Sequence, residues 1–517
     1  MASTDEELST DTNFLNITTV LVGLTTLVAI ALYRSTRRPA GAPPGPTPMP
    51  ILGNVTTFMS KKTLHDVFID LRKKYGTVFS LKFASQNVVI LNTIDVVKEA
   101  MVKQAVEFAG RPKSNSVKLF SQGYKDIVLG DYGPQWKFQR KIAHSAVRRF
   151  TRKEDLEKLV FAVTPKVGKI LDEQGDKPFA PKYTIGQAVY NILATMCFGK
   201  QYETNDPDLM EFINTNNEVT AAFGNGLLSD FFPIFEYIKL PYDKKFEGML
   251  ETLFKLFYME FESHREKFDP ENVKDFFDTL ILTQKEAIAA GEEEAKLMTD
   301  THLVQTVIDL FAAGTETTTL TLHWAVAALV EHPEIQERIA QEIDDVIGRD
   351  RLPSLDDKGN LPYTEATLLE LLRYGSVVPL GVPHAVLTDT SLNGYNIKKG
   401  TTVMINHRGL HFDPEAWDQP EQFKPERFLN ENGQLLGKLP ESFLPFSCGR
   451  RVCLGEDFAK KEIFLIFTWL FSRYTFYKVP GKEAAESLMK PTGVSGFVHQ
   501  PFDEIEVCVK KRFETEI

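Results

Sequence analysis

The 517-residue chain is 43% hydrophobic with a formal net charge of −11, apolar enough for a large core and too acidic for a general nucleic-acid binder. Its four cysteines (Cys197, Cys448, Cys453, Cys508) are too few for a disulfide scaffold and point to a reducing compartment. The first strong signal lies near the N-terminus. No charge occurs from Thr12 to Tyr33, a stretch rich in Leu, Val and Ile and close to the roughly 20 residues a bilayer-spanning helix needs. Asp5, Glu6, Glu7 and Asp11 precede it, and Arg34, Arg37 and Arg38 follow, so the positive-inside rule keeps the C-terminal bulk in the cytosol. The basic residues come after the apolar run, unlike a cleaved signal peptide, and the early acids are unlike a mitochondrial transit peptide. Residues 1–38 therefore read as a retained signal-anchor with one transmembrane helix.

Ala40 to Pro50 holds five prolines and two glycines, the composition of a stiff spacer. Residues 39–53 are assigned as a proline-rich hinge and 54–517 as one catalytic domain. Helical periodicity dominates that body, over Leu64–Tyr75, Pro134–Phe150, Glu154–Asp172, Ile185–Phe198, Lys244–Phe268, Asp300–His332, Pro333–Ile347, Thr364–Tyr374 and Glu456–Arg473. Short strand patterns occur at Val78–Phe83, Val88–Leu91, Ser391–Ile397, Thr402–Asn406 and Ile505–Lys510. The charged region Asp269 to Met298 reads as a surface connection. The expected fold class is mainly α with small peripheral β-sheets; without βαβ alternation a doubly wound sheet is not expected.

Asp300–His332 is apolar on every face in its middle and so belongs in the core. Within it Ala312-Ala313-Gly314-Thr315-Glu316-Thr317-Thr318 places an acid and several hydroxyls where burial is costly unless they are satisfied or used. Thr317 can bond back to the Ala313 carbonyl one turn earlier and loosen the helix. Small residues at 313 and 314 leave room above a flat cofactor, and Glu316 can feed protons there. The plain alternative is a set of back-bonded threonines with Glu316 in a structural ion pair.

Near the C-terminus, Phe446-Ser447-Cys448-Gly449-Arg450-Arg451-Val452-Cys453-Leu454-Gly455 surrounds Cys453 with features that suit a thiolate ligand to heme iron. Glycines let a backbone lie close to a macrocycle. A helix beginning near Leu454 would point its positive end at the sulfur, and Arg451 can stabilise the anion. A buried inert cysteine and half of a zinc site are the alternatives, and no second cysteine pair completes the zinc site.

This segment resembles the heme-binding signature of cytochromes P450 at every constrained position, and the Ala313–Thr318 stretch resembles that family's acid–alcohol pair. The resemblance runs from the proline-rich neck to the last strand. It implies the P450 fold with heme b as cofactor, Cys453 as axial metal ligand and Thr317 with Glu316 as the catalytic pair. It also implies cofactor-binding roles for Trp136 and Arg140, which are four apart on a helix, for His384 after Pro383, and for Arg451. Each of these has an ordinary packing alternative. Glu370-x-x-Arg373 and Pro425-Glu426-Arg427-Phe428 resemble the family's structural Glu–Arg–Arg network.

Phe108–Pro112, Asp131–Trp136 and Met196–Gly199 look like microsomal animal forms. The run Asn205–Leu209 with Asn214, Asn217 and Ala313–Thr318 is similar to steroid 17-alpha-hydroxylases. Leu392–Tyr395 and Tyr132–Pro134 are as similar to aryl-hydrocarbon hydroxylases. By family position the pocket is lined from Ser114–Tyr124, Asn214–Phe223, Leu310–Ala313, Val378–Val382 and Val494–Val498. The expectation is an oxygen-inserting monooxygenase of the endoplasmic reticulum membrane, facing the cytosol and acting on a lipophilic substrate, most of all a steroid. Its partners would be NADPH–cytochrome P450 reductase and cytochrome b5, drawn to Lys137, Arg140, Lys141, Arg148, Arg149, Arg152, Lys153, Lys460 and Lys461, the plain alternative for these residues being a solvated helix face; no nucleic acid is expected. An aryl-hydrocarbon or xenobiotic monooxygenase, a P450-fold isomerase and a non-enzymatic membrane heme protein are the other readings.

Overall fold

A computed structural model describes residues 5–59, 62–84, 86–203, 205–232, 234–482, 487–489, 494–495, 498–501 and 505–513. The helix Asp300–Glu331 runs through the core of the body, with Leu303–Ile308 and Leu320–Leu329 almost wholly buried. Thr299 caps its start, where the His302 ring accepts the Thr299 N–H at 3.1 Å, and Pro333 begins the next helix. This central helix packs along Pro181–Phe198, Pro362–Gly375 and Glu456–Arg473. Gly314 allows one of those contacts: a Cβ there would stand 3.2 Å from Leu193 Cδ1.

The helices expected at Leu64–Tyr75, Pro134–Phe150 and Glu456–Arg473 form over those residues. The one expected at Glu154–Asp172 divides into Lys153–Phe161 and Thr164–Gln174, because Pro165 cannot donate into a continuing helix. The charged region taken as a surface connection instead holds Phe276–Ala289. Phe276, Phe277, Leu280 and Ile281 recur at helical spacing and are buried, and that apolar stripe outweighs the surrounding charge.

The strands are β1 (Val78–Phe83), β2 (Gln86–Leu91), β3 (His384–Ala385), β4 (Thr390–Leu392), β5 (Tyr395–Ile397), β6 (Thr402–Ile405), β7 (Tyr474–Lys478), β8 (Val494–Ser495), β9 (Val498–His499) and β10 (Val507–Lys511). The largest sheet has the order β1-β2-β6-β3, with β2 parallel to β6; the others are pairs, β7 with β10, β4 with β5, and β8 with β9. A mainly helical body with peripheral sheets is the architecture expected.

The proline-rich segment is not a free spacer. Ser80 donates from its amide to Pro44 O and from its hydroxyl to Pro43 O, both at 2.7 Å. It covers the edge of β1, whose backbone groups would otherwise lack partners. Ahead of it a helix spans Asp5–Ser35, with Val20, Leu21, Leu24, Leu27 and Val28 exposed. Among the described residues no helix is long and apolar enough to cross a membrane.

Candidate heme site

One cavity of about 320 Å³ lies between the central helix and the loop that precedes Glu456–Arg473. Cys453, Leu454 and Gly455 line one side, and Ala313, Gly314, Thr317 and Thr318 the other. The exposed surface of Cys453 opens into this cavity, while burial pushes its thiol pKa up, followed by Glu456; the Gly455 N–H, Arg140 and Lys460 oppose that rise. Cys448 does not border the cavity and packs instead against the cluster around Val97 and Met101.

The loop geometry corrects two expectations. Gly449 has φ +79°, and a Cβ there would stand 2.1 Å from Met101 O, so this glycine serves the protein's own packing. Around Gly455 a Cβ would meet nothing within 4 Å, which is the open approach anticipated for a macrocycle. Arg451 does not face the sulfur. It donates to Ala109 O (2.9 Å), Ile127 O (3.1 Å) and Gly130 O (2.8 Å). The cations that act on Cys453 are Arg140 and Lys460.

Trp136 is buried, yet its indole N–H is spent on Ile127 O at 2.8 Å and it does not border the cavity. Its ring carries Arg451 at 4.0 Å and Arg140 at 5.5 Å from the centroid. Arg140 reaches the Val452 carbonyl and lines the cavity. His384 lines it too, with Nδ1 2.9 Å from Phe108 O. If Nδ1 is the donor there, Nε2 can donate to an anion only when the ring takes a second proton. Burial, then Arg111, hold that pKa well below its usual value.

Sequence reasoning missed Arg111 as a site residue. It is buried on the cavity wall and donates to Val128 O, Val382 O and Pro383 O at 2.8–2.9 Å. Burial pushes the pKa of Arg111, Arg140 and Arg451 down; neighbouring arginines add to this for Arg111 and for Arg451, which falls to about 10, whereas Cys453 opposes it for Arg140. Asp126 is the carboxylate that offsets Arg111 and, with Asp131, Arg451. One edge of the cavity therefore holds more positive charge than the protein balances. A flat cofactor with two carboxylates on one edge fits that surplus, and a thiol on the opposite wall from Ala313 fits a ligand to its iron.

On the central helix, Thr317 Oγ1 donates to Ala313 O at 2.7 Å, as its spacing predicts, and the helix stays continuous. Glu316 points away from the cavity, with Oε1 3.9 Å from Lys182 Nζ. Burial raises its pKa and Lys182 offsets part of the rise. Of the pocket stretches expected, Leu310–Ala313 and Val378–Val382 contribute to the cavity wall. Ser114–Tyr124 and Asn214–Phe223 do not; Phe120 and Phe223 pack on each other with ring centroids 5.2 Å apart. Val494–Val498 lies partly outside the described residues.

Below the cavity, Glu370 accepts from Arg373 Nε and Nη2 at 2.7 and 2.8 Å and from Arg427 Nε at 3.1 Å, with all three side chains buried. Arg373 also donates to His411 O at 2.7 Å. Glu426 stands outside this network and pairs with Arg338.

Residues 43–507 match the family described as Cytochrome P450. The chain belongs to the cytochrome P450 family. Members are oxidoreductases, monooxygenases that use heme held by a cysteine thiolate, and membership implies a redox partner and a lipophilic substrate. This P450 is 36% identical over 451 residues to a steroid 17-alpha-hydroxylase/17,20 lyase of Ictalurus punctatus, covering 86% of this chain and 87% of that one. It is 35% identical over 486 residues to cytochrome P450 1A1 of Platichthys flesus, covering 90% and 91%. A zebrafish cytochrome P450 solved with progesterone superposes with a TM-score of 0.76 at 32% identity, over 87% of this chain and 99% of that chain.

Proposed function

We propose that this P450 is a membrane-anchored steroid monooxygenase of the endoplasmic reticulum, with Cys453 as the thiolate that would hold the heme iron. The observation that carries the site assignment is that Cys453, and not Cys448, faces Ala313 and Thr317 across one cavity. When bound, the heme activates dioxygen for insertion of one oxygen atom into the substrate. Arg140, Arg451 and Arg111 would hold its carboxylate edge, with His384 able to join them only in its doubly protonated form, and Trp136 supports Arg140 and Arg451 from behind. Thr317 holds a hydroxyl proton at the cavity wall, fixed by the Ala313 carbonyl. Glu316, buried beside the partly exposed Lys182, lies on a route by which protons can reach this helix from the surface.

The apolar wall of Leu310, Ala313, Val377, Val378 and Val382 suits a flat lipophilic substrate. The steroid 17-alpha-hydroxylase relatives and the progesterone-bound neighbour support a steroid. The P450 1A1 relatives favour a second reading, a planar aromatic substrate. Residues 1–38 are the anchor in this reading, 39–53 the neck and 54–517 the catalytic domain; the charge-free run and the arginines after it support a cytosolic body. NADPH–cytochrome P450 reductase, and cytochrome b5 beside it, would dock on the exposed Lys137, Lys141, Arg148 and Arg152. The helix that carries the first three is tied to the cysteine loop through Arg140 and Val452. The test is a titration of the purified heme protein with progesterone and with polycyclic aromatics, read by the Soret shift, followed by product analysis with the reductase. Steroid binding and oxygenation are expected; turnover of the aromatics alone would favour the second reading.

A further inference from the structure

Ser376 stands on the cavity wall with φ +39° and ψ +55°, the left-handed conformation that ends the helix Pro362–Gly375. A helix that ends this way usually has glycine there, and a serine stores strain that its surroundings must hold. Its hydroxyl bonds Arg373 O at 2.7 Å and His411 Nδ1 at 2.8 Å. The backbone on either side is gripped by one distant residue, His499 of β9. His499 donates its backbone N–H to Val377 O at 2.8 Å, and its Nδ1 stands 2.6 Å from Gly375 O. A carbonyl only accepts, so Nδ1 carries the ring proton. Nε2 is buried without a partner, and the ring spends its single N–H on Gly375. The central helix meets the same grip. Trp324 donates Nε1 to His499 O at 3.2 Å, the two ring centroids lie 5.1 Å apart, and a Cβ on Gly375 would stand 3.1 Å from Trp324 Cδ1.

We propose that His499 is a positioning residue that sets the width of the cavity. Ser376, Val377 and Val378 belong to one wall, and Ala313, Thr317 and Thr321 of the central helix to another. Trp324 follows Thr321 by three residues on that helix. His499 therefore links the two walls, through Trp324 on one side and the Ser376 turn on the other. It does so from outside: His499 is fully buried and does not border the cavity. With both of its bonds in place the turn keeps its strained shape, and the wall stands at a fixed distance from Ala313. Without the Nδ1 bond the turn can relax toward an ordinary backbone angle, and the wall moves with it. This role rests on reading the cavity as the heme site and is independent of which substrate it takes.

Two azoles that bind heme iron through nitrogen, imidazole and 4-phenylimidazole, are the probes. They are titrated into heme-loaded wild type, His499→Leu, His499→Asn and His499→Gln, and dissociation constants come from the Soret shift. Imidazole is too small to need the wall, whereas the phenyl ring must pack on it. In His499→Leu the ratio of the phenylimidazole constant to the imidazole constant should rise about fivefold, the effect of one lost hydrogen bond. His499→Asn should keep the wild-type ratio, because its amide nitrogen falls near the Nδ1 position and can donate to Gly375 O. His499→Gln carries its amide one bond further out and should resemble His499→Leu. Equal weakening of both azoles is general loosening and overturns the positioning role. An unchanged ratio in His499→Leu, or a raised one in His499→Asn, overturns it too. If His499→Leu does not retain heme, the Asn and Gln variants decide alone, and equal ratios there overturn the role. A wild type that gives no Soret response to either azole removes the heme-site reading and this role with it.

Discussion

The guanidinium of Arg451 lies 4.0 Å from the centroid of the Trp136 ring, and both side chains donate to one oxygen, the Ile127 carbonyl. That shared acceptor ties the cysteine loop to the segment before Pro134–Phe150, and it sets how the cationic edge of the cavity is held.

Trp136→Ala should therefore loosen Arg140 and Arg451 together. A buried tryptophan truncated to alanine costs about 3–5 kcal/mol, and heme retention should fall with it. Trp136→Phe keeps the platform and loses one hydrogen bond, about 1 kcal/mol. Heme content per protein and the thermal midpoint read both effects. Equal heme loss in the two variants would mean that the indole N–H, not the ring, is what matters.

Cys453→Ser should abolish the strongly red-shifted carbon monoxide band of the reduced protein, while Cys448→Ser leaves it in place. Cys448 packs away from the cavity, so the pair of variants separates ligand from neighbour. Survival of the band in Cys453→Ser removes the ligand assignment.

Thr317→Ala removes the hydroxyl held by Ala313 O without touching the Cys453 loop. Heme binding should be unchanged, and a larger share of the NADPH consumed should appear as peroxide in place of product. Unaltered coupling would remove Thr317 from proton delivery.

Glu370→Gln leaves the buried Arg373 and Arg427 without their shared carboxylate. Breaking such a network by removing one partner costs about 3–5 kcal/mol, read as a lower thermal midpoint and poor heme loading. A variant as stable as wild type would show that the arginines find other acceptors.

Glu462, fully buried on Glu456–Arg473, borders the cavity and takes a hydrogen bond from Thr318 Oγ1 at 3.4 Å. Burial pushes its carboxyl pKa up to about 8. Between the unfolded value near 4.3 and about 8 the unfolded chain binds fewer protons than the native one, so stability falls as pH rises through that window. The loss reaches about 3–4 kcal/mol at pH 7 and levels off above about pH 8. Glu462→Gln should flatten this slope in denaturation curves from pH 5 to 8. An unchanged slope would mean that the carboxylate is ionised in the folded protein.

Much of the site was legible in the chain because its parts are local. The Phe446–Gly455 loop, the Ala313–Thr317 pair and the Glu370-x-x-Arg373 pair each span one turn or one loop, where spacing alone determines which residues face together. The long helix of the core was equally readable, since its apolar residues go all the way round and Pro333 ends it. Arg111 and Glu462 were not readable as site residues. Nothing near them in sequence distinguishes a buried arginine on a cavity wall from a surface one.

The sequence by itself determined a helix-rich body, one candidate thiolate loop and an alcohol-bearing turn on a buried helix, because caps, prolines and apolar periodicity act over a few residues. Only the tertiary structure decided where the charged groups point. It turned Arg451 toward the loop carbonyls, Trp136 away from the cavity, Glu316 toward Lys182, and the proline-rich segment onto the edge of β1. Each of these is a hydrogen bond or ion pair between residues far apart in the chain. Its partner is chosen by burial, since a polar group removed from water must take whichever acceptor or charge the packed fold brings within reach.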